Sequence, residues 1–365
     1  MDIAIGFIIA IIVLVFVHEL GHFLFAKWVG CRVDEFSVGF PPALFSRTLG
    51  ETRYTLGAIP IGGYVKIWGE NGSEEVQEDP DNPRALYNRP RWAQALVLFG
   101  GILFNVILAW LLFSILFATG IEANSERFPD ERLANPKVQI TGIIEGYPAA
   151  SSTLSVASTI NAIYAENGDS LSPIEGYQAV QAFIASHPHQ VLSITTTNQA
   201  GEVLQTSLSP KSEGGRALIG VELATVGTIT LPWYQALYEG ARLTVDLTIA
   251  IFSFLGDFLA GLFTGSTQAD SIAGPVGIAH FAGDSFSAGA GEFAWFIAIL
   301  SLNLAIFNLL PIPALDGGRL VLVAIESVIR RPLNPRWALY LNAGGFIFLI
   351  GLMALVTIFD IYKLF

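Results

Sequence analysis

The sequence predicts a polytopic α-helical membrane protein: four transmembrane helices, a membrane-associated β-hairpin, and a soluble α+β domain inserted between the second and third spans. Three observations predict this class. Hydrophobic residues make up 52% of the 365-residue chain, and the mean hydropathy of +0.55 is far too high for a soluble domain. Residues 3–25, 93–119, 293–310 and 339–359 are each apolar over the length a bilayer-crossing helix requires, about 20 residues. Between the second and third of these, residues 135–225 have ordinary composition and contain no stretch that could span. The net charge of −12, without a basic stripe, excludes nucleic acid as a partner. The single cysteine, Cys31, excludes an internal disulfide framework.

The first apolar run lacks a basic start and a small-residue cleavage site, so it reads as a retained span and not a signal peptide. Residues 52–68 hold two β-type runs separated by Gly and Pro, a hairpin-like element close to the membrane. Residues 71–81 are acidic and turn-rich, a solvated loop. The insert mixes short β-type runs (138–144, 191–196, 203–208 and 217–223) with a helical stretch at 174–186. A fifth apolar segment, 243–263, is interrupted by Asp246 and Asp257. These lie eleven residues apart, near one helical face, which suggests an amphipathic helix on the membrane surface. Lys27, Arg32, Arg47, Arg53, Lys66, Arg84, Arg89 and Arg91 crowd the first loop, and Arg319, Arg330, Arg331 and Arg336 the third. The positive-inside rule makes those loops cytoplasmic and the insert extracytoplasmic.

The chemistry begins at His18-Glu19-Leu20-Gly21-His22, directly after the apolar run 3–17. An ionisable residue at mid-membrane costs about 2.5–3.5 kcal/mol on insertion scales, so three within five residues need a compensating interaction. Spaced four apart on a helix, His18 and His22 share one face, as two imidazoles must to hold one zinc ion, and Glu19 reaches the metal's water. Zinc in a catalytic site takes three protein ligands, so a further carboxylate or histidine must come from another span. Asp316, in the run Asn308-Leu309-Leu310-Pro311-Ile312-Pro313-Ala314-Leu315-Asp316-Gly317-Gly318, is the best candidate. It lies just beyond a span whose helix Pro311 and Pro313 break. A turn or N-cap aspartate ahead of Gly317 is the competing reading. If Asp316 shares a metal with His18 and His22, the first and third spans end at one depth and run parallel. One crossing fits between them, which leaves 243–263 on the surface.

The pairing of an embedded H-E-x-x-H with a distant Asn-x-x-Pro-x-Pro-x-x-Asp-Gly resembles the site-2 protease family of intramembrane zinc metalloproteases. Within it the chain is similar to the bacterial RseP-like branch that carries PDZ domains. Further matches follow in family order: Phe36-Ser37-Val38-Gly39-Phe40-Pro41-Pro42, Ile61-Gly62-Gly63-Tyr64-Val65-Lys66, Asn105, and Gly274-Pro275-Val276-Gly277-Ile278-Ala279. The insert is similar to one PDZ domain through Gly142-Ile143-Ile144-Glu145-Gly146-Tyr147-Pro148-Ala149 and Leu218-Ile219-Gly220-Val221. Two stretches depart from the family: Phe99-Gly100-Gly101 stands where Ala-Gly-Pro is usual, and 152–159 replaces a Gly-Leu, Gly-Asp pattern.

The resemblance implies His18, His22 and Asp316 as zinc ligands and Glu19 as the catalytic glutamate. It places Asn308, Pro311 and Pro313 beside the substrate, together with a hairpin edge containing Ile61, Gly62, Gly63 and Tyr64. It also implies a domain plan: a membrane catalytic domain in two parts (1–134 and 292–365), a PDZ-like extracytoplasmic domain (135–225) and a membrane-surface segment (226–291). The expected activity is zinc-dependent cleavage of single-span membrane proteins already cut by another protease, in the bacterial cytoplasmic membrane with the active site toward the cytoplasm. An inactive membrane adaptor and a metal-binding transporter are the alternatives. Intact His18, Glu19, His22 and Asp316 argue against the first, and the lack of internal repeats against the second. Elsewhere, His187 and His189 read as solvated loop residues, Glu326 as structural, Asp246 and Asp257 as water-facing, and Trp28, Trp92 and Trp295 as interface anchors.

Overall fold

The structure is a computed structural model describing residues 2–70, 83–125, 127–128, 132–198, 201–213, 216–264, 274–331, 333 and 335–363. The acidic loop 71–81 lies outside the described residues. The chain forms two compact units, Met1–Leu116 with Trp233–Phe365, and Phe117–Pro232.

The first unit opens with α1 (Asp2–Trp28), whose Asp2 in the first turn and Lys27 in the last complement the helix dipole. Next come β1 (Val33–Leu49) and β2 (Thr52–Ile67), paired antiparallel through the two-residue turn Gly50-Glu51, where Gly50 takes φ 64°. This refines the expected hairpin: the two runs of 52–67 reverse direction about residues 57–62, but they pair with 33–49 and not with each other. The Gly and Pro within 52–67 lie at the reversal between its two runs, and β1 folds back on itself likewise. Glu35 to Val38 therefore lie between Arg53–Leu56 on one side and Gly63–Lys66 on the other. Glu51 ties the turn to α1 through Lys27 at 2.7 Å and to Arg84 at 2.6 Å. The Arg84 bond, then that of Lys27, pushes its carboxyl down to about 2. The ribbon leaves Leu44 and Phe45 about two-thirds exposed, at 69% and 65%. Helix α2 (Arg91–Thr119) follows.

The second unit holds β3 (Ile121–Asn124), β4 (Ala134–Ile143), β5 (Thr159–Ala165), β6 (Ser170–Leu171), α3 (Tyr177–Ser186), β7 (Leu192–Thr197), β8 (Val203–Leu208), β9 (Lys211–Glu213), β10 (Arg216–Leu218) and β11 (Val221–Ile229). Its main sheet has the order β3-β11-β4-β5-β7-β8 with β6 on β5, antiparallel throughout, and β9 and β10 form a separate hairpin. Val180 and Ile184 of α3 close a core of Val138, Ile140, Ile160, Ile163, Leu192 and Ile194. The unit reaches beyond 135–225 because 121–124 pairs with 226–229. His187 corrects the solvated-loop reading. Only 6% exposed, it bonds the Phe183 carbonyl at 2.8 Å and Asp169 at 3.2 Å, while His189 is exposed.

The chain then returns to the first unit with α4 (Trp233–Thr264), α5 (Pro275–Ala288), α6 (Ala290–Leu309), α7 (Asp316–Ile329) and α8 (Pro335–Lys363). Among the described residues, four helices are long and apolar enough to cross a membrane: Asp2–Trp28, Arg91–Thr119, Ala290–Leu309 and the Leu339–Ile358 part of α8. The protein is thus a multi-pass membrane protein with an inserted β-rich domain. Helix α4 is not one of the four. It packs on α2, where Trp110 Nε1 donates to the Leu237 carbonyl at 2.9 Å and Gly240 seats on Ser114.

Helices α1 and α6 run parallel. Asp2 meets Ser287 just ahead of α6 at 3.5 Å, Ala10 and Leu14 pack with Ile297, and both far ends reach Asp316. Helix α2 lies against them in the opposite sense, placing Val97 by His22 and Asn105 by His18. Trp295 is half-buried against Phe113 at 5.1 Å, packed within the helices and not set out as an anchor, whereas Trp28 and Trp92 are exposed. Glu326 pairs with Arg91 at 2.9 Å and accepts from the Leu333 N–H at 2.8 Å, a structural role.

Candidate metal centre

One turn of α1 sets His18 and His22 on a single face, their rings edge-to-face with centroids 4.7 Å apart. The two Nε2 atoms are separated by 3.2 Å, and Asp316 Oδ2 lies 3.2 Å from that of His18 and 3.3 Å from that of His22. Four ligands at about 2.0–2.1 Å around a tetrahedral zinc stand about 3.3 Å apart, so three corners of such a site are in place. The donor set agrees: two neutral imidazoles and one carboxylate. Asp316 Oδ2 is buried and has no hydrogen bond among the described residues, a costly state for a carboxylate oxygen that a cation relieves.

Helix α2 holds the imidazoles from behind. His22 Nδ1 donates to the Val97 carbonyl at 2.8 Å, which leaves its Nε2 lone pair facing Asp316. Asn105, fully buried, has its amide 3.1 Å from His18 Nδ1. The helices approach closely because three glycines meet there. A Cβ on Gly21 would strike the Gly100 carbonyl, one on Gly100 would come within 2.5 Å of Phe25, and one on Gly101 would strike His22 Nε2. The departure Phe99-Gly100-Gly101 has its physical reason here.

Asp316 is placed by a break. Pro311 cannot continue α6, the chain turns through Ala314 at φ 78°, and α7 begins at Asp316. A Cβ on Gly317 would strike the Leu309 and Leu310 carbonyls, and one on Gly318 that of Ile312. The two glycines let α7 fold back on the end of α6 and bring Asp316 to the histidines.

A cavity of about 310 Å³ opens beside these atoms, lined on one side by Glu19, Tyr64, Val65 and Ile67 and on the other by Asn308, Leu315 and Arg319. Glu19 takes a hydrogen bond from the Val65 backbone. Arg319 and Glu70 form an ion pair in the cavity wall. Of the residues expected beside a substrate, Asn308 and Tyr64 line this cavity, and Gly63 stands on the same strand against Val15. Gly62 precedes it at φ 127°, and the backbone of Ile61 continues the strand. Pro311 and Pro313 line a different groove of about 440 Å³ with Tyr340, Leu341 and Phe348 of α8. Residue reading did not assign roles to Val97, Gly101, Asn105, Glu70 and Arg319. The asparagine inside an apolar span was the one local signal available.

A model of Peptidase family M50 matches residues 6–352. The chain belongs to peptidase family M50. This M50 peptidase is 32% identical over 355 residues to a protein of Clostridium perfringens, covering 97% of each chain. It is 30% identical over 380 residues to one of Agrobacterium fabrum, covering 98% of this chain and 95% of that one. A third, from Fusobacterium nucleatum, is 31% identical over 366 residues, with 98% and 99% covered. All three are named as zinc metalloproteases. This M50 peptidase is accordingly a zinc metalloprotease of the site-2 protease family, with zinc as its cofactor.

Proposed function

We propose that this M50 peptidase cleaves single-span membrane proteins within or near their transmembrane segment. It makes the second cut of regulated intramembrane proteolysis, such as that of an anti-sigma factor, after another protease has removed most of the external domain. One observation carries the reading: His18, His22 and Asp316 converge within an apolar helix assembly, His18 and His22 inside a membrane-spanning helix itself. A protease acting on soluble chains has no use for a site at that depth.

His18, His22 and Asp316 would hold the zinc, which when bound would polarise the scissile carbonyl and make water more acidic, toward a pKa of about 7. Glu19 takes the proton from the attacking water and passes it to the leaving amine nitrogen as the C–N bond breaks. A helix hides its carbonyls in its own hydrogen bonds, so the substrate unwinds locally. Strand residues 63–67, with residues 61–62 leading in, hold the extended segment by β-addition beside Glu19, and Asn308 bonds a freed backbone group. Pro311 and Pro313, with the α8 groove, take the apolar helix that continues beyond the cut.

The basic first and third loops orient the protein in the bacterial cytoplasmic membrane, with the N-terminus and insert outside and the active site toward the cytoplasm. The apolar, exposed Leu44 and Phe45 set the ribbon against lipid, and α4 lies along the membrane surface. The insert is PDZ-like, as in the RseP-like branch, and acts as a size filter against bulky external domains. A protein lacking 135–225 is expected to cut full-length substrate that the intact enzyme spares; continued sparing overturns the filter. The activity is tested by incubating zinc-loaded protein with single-span substrates and locating the cut by mass spectrometry. Cuts inside or beside the transmembrane segment support the reading, and cuts confined to exposed loops contradict it.

A further inference from the structure

The two imidazoles are held unequally. Val97 offers His22 a backbone carbonyl, which can only accept, so the proton of His22 stays on Nδ1 and its Nε2 lone pair stays free. His18 is held by an amide, which can either donate or accept. With Asn105 Nδ2 turned to His18 Nδ1 at 3.1 Å, the imidazole proton is forced onto Nε2, and Asn105 Oδ1 is left buried without a partner among the described residues. An Nε2 carrying a proton cannot ligate a metal. Turning the amide by half a rotation exchanges two atoms of nearly equal size and brings Oδ1 onto Nδ1. His18 then keeps its proton on Nδ1 and aims a lone pair at the point faced by His22 Nε2 and Asp316 Oδ2. The residue is fixed in place at its backbone: Asn105 and Ser301 are both fully buried, and the Ser301 hydroxyl of α6 donates to the Asn105 backbone carbonyl at 2.8 Å.

We infer that Asn105 is a positioning residue for the metal, accepting the His18 Nδ1 proton through Oδ1 and so selecting the tautomer in which His18 ligates. The inference rests on the proposed zinc site. Asn105 touches neither substrate nor metal, and acts on binding through His18 alone. Loss of such an acceptor behind a metal-bound imidazole lowers affinity by about 10- to 100-fold.

The test uses purified full-length protein and measures zinc affinity by competition with a chelator, together with the visible spectrum of the cobalt-substituted protein. Asn105→Leu keeps the shape and loses the acceptor, and is expected to bind zinc 10- to 100-fold more weakly with a changed cobalt spectrum. Asn105→Asp can only accept, and is expected to bind at least as tightly as the native protein with an unchanged spectrum. Native affinity in Asn105→Leu, or equal losses in both variants, overturns the inference. If Asn105→Leu does not fold, Asn105→Asp decides alone: native affinity supports the role, and a loss of tenfold or more contradicts it. His18→Ala separates the two levels of the argument. If it too keeps zinc, the zinc site itself is wrong; if it loses zinc while Asn105→Leu does not, the role of Asn105 alone fails.

Discussion

Gly101 of α2 lies directly beside the donor nitrogen of His22 of α1: a Cβ at Gly101 would strike His22 Nε2 and come within 2.7 Å of His18 Cε1. The proposed metal-binding face of α1 is therefore built as much by the missing side chain on α2 as by the histidines themselves.

Gly101→Ala is expected to push both rings out of register while leaving the helices paired. Zinc affinity falls by about 10- to 100-fold, as when the support behind a ligand is lost. The control is Gly291→Ala, whose new methyl would meet its nearest neighbour, Leu116, at 4.0 Å. Metal content after dialysis against a chelator checks this. Equal retention by the two variants contradicts the steric account.

Arg319 and Glu70 join α7 to the turn after β2 across the cavity wall. Each is about one-quarter exposed, at 25% and 26%, so the pair is partly shielded. Arg319→Glu and Glu70→Arg are each expected to slow cleavage several-fold by placing like charges together, and the double reversal to recover most of the loss. Cleavage rates in a double-mutant cycle measure the coupling. Additive losses mean that the pair does not span the cleft as a unit.

In the second unit, the Phe183 carbonyl on Nδ1 and then Asp169 on Nε2 raise the proton affinity of His187. The folded-state pKa lies above the unfolded one, so the bridge contributes in full below about 6.5 and is lost as the pH rises through the raised value. Amide exchange at 165–171 and 183–187 should quicken over that window in the native protein and lose the pH step in His187→Gln. A step that persists in the variant assigns it elsewhere.

Much of the architecture was legible in the sequence because lipid permits few solutions. The four spans follow from apolar length, and the parallel course of α1 and α6 from requiring Asp316 and His18 to meet. Residues that act through absence or through the partner helix were harder to read. Gly101 looked like an irregularity beside a familiar motif, and Val97 contributes a carbonyl that no sequence pattern marks. The Gly and Pro of 57–63 did mark the reversal between the two runs of 52–67, but nothing local showed that residues 35–38 lie between those runs. His187 looked solvated from its polar neighbours, yet it packs against the Phe183 ring one turn upstream at 4.4 Å and meets Asp169 from a distant loop, a pairing that local composition does not show.

The central claim is that Glu19 moves the proton for a reaction on zinc held by His18, His22 and Asp316. Zinc content and cleavage of a single-span substrate, measured together for native protein and Glu19→Gln, test it most directly. The account predicts one zinc per chain in both and a loss of cleavage of about 10²- to 10⁴-fold in the variant; equal cleavage by the two proteins would contradict it.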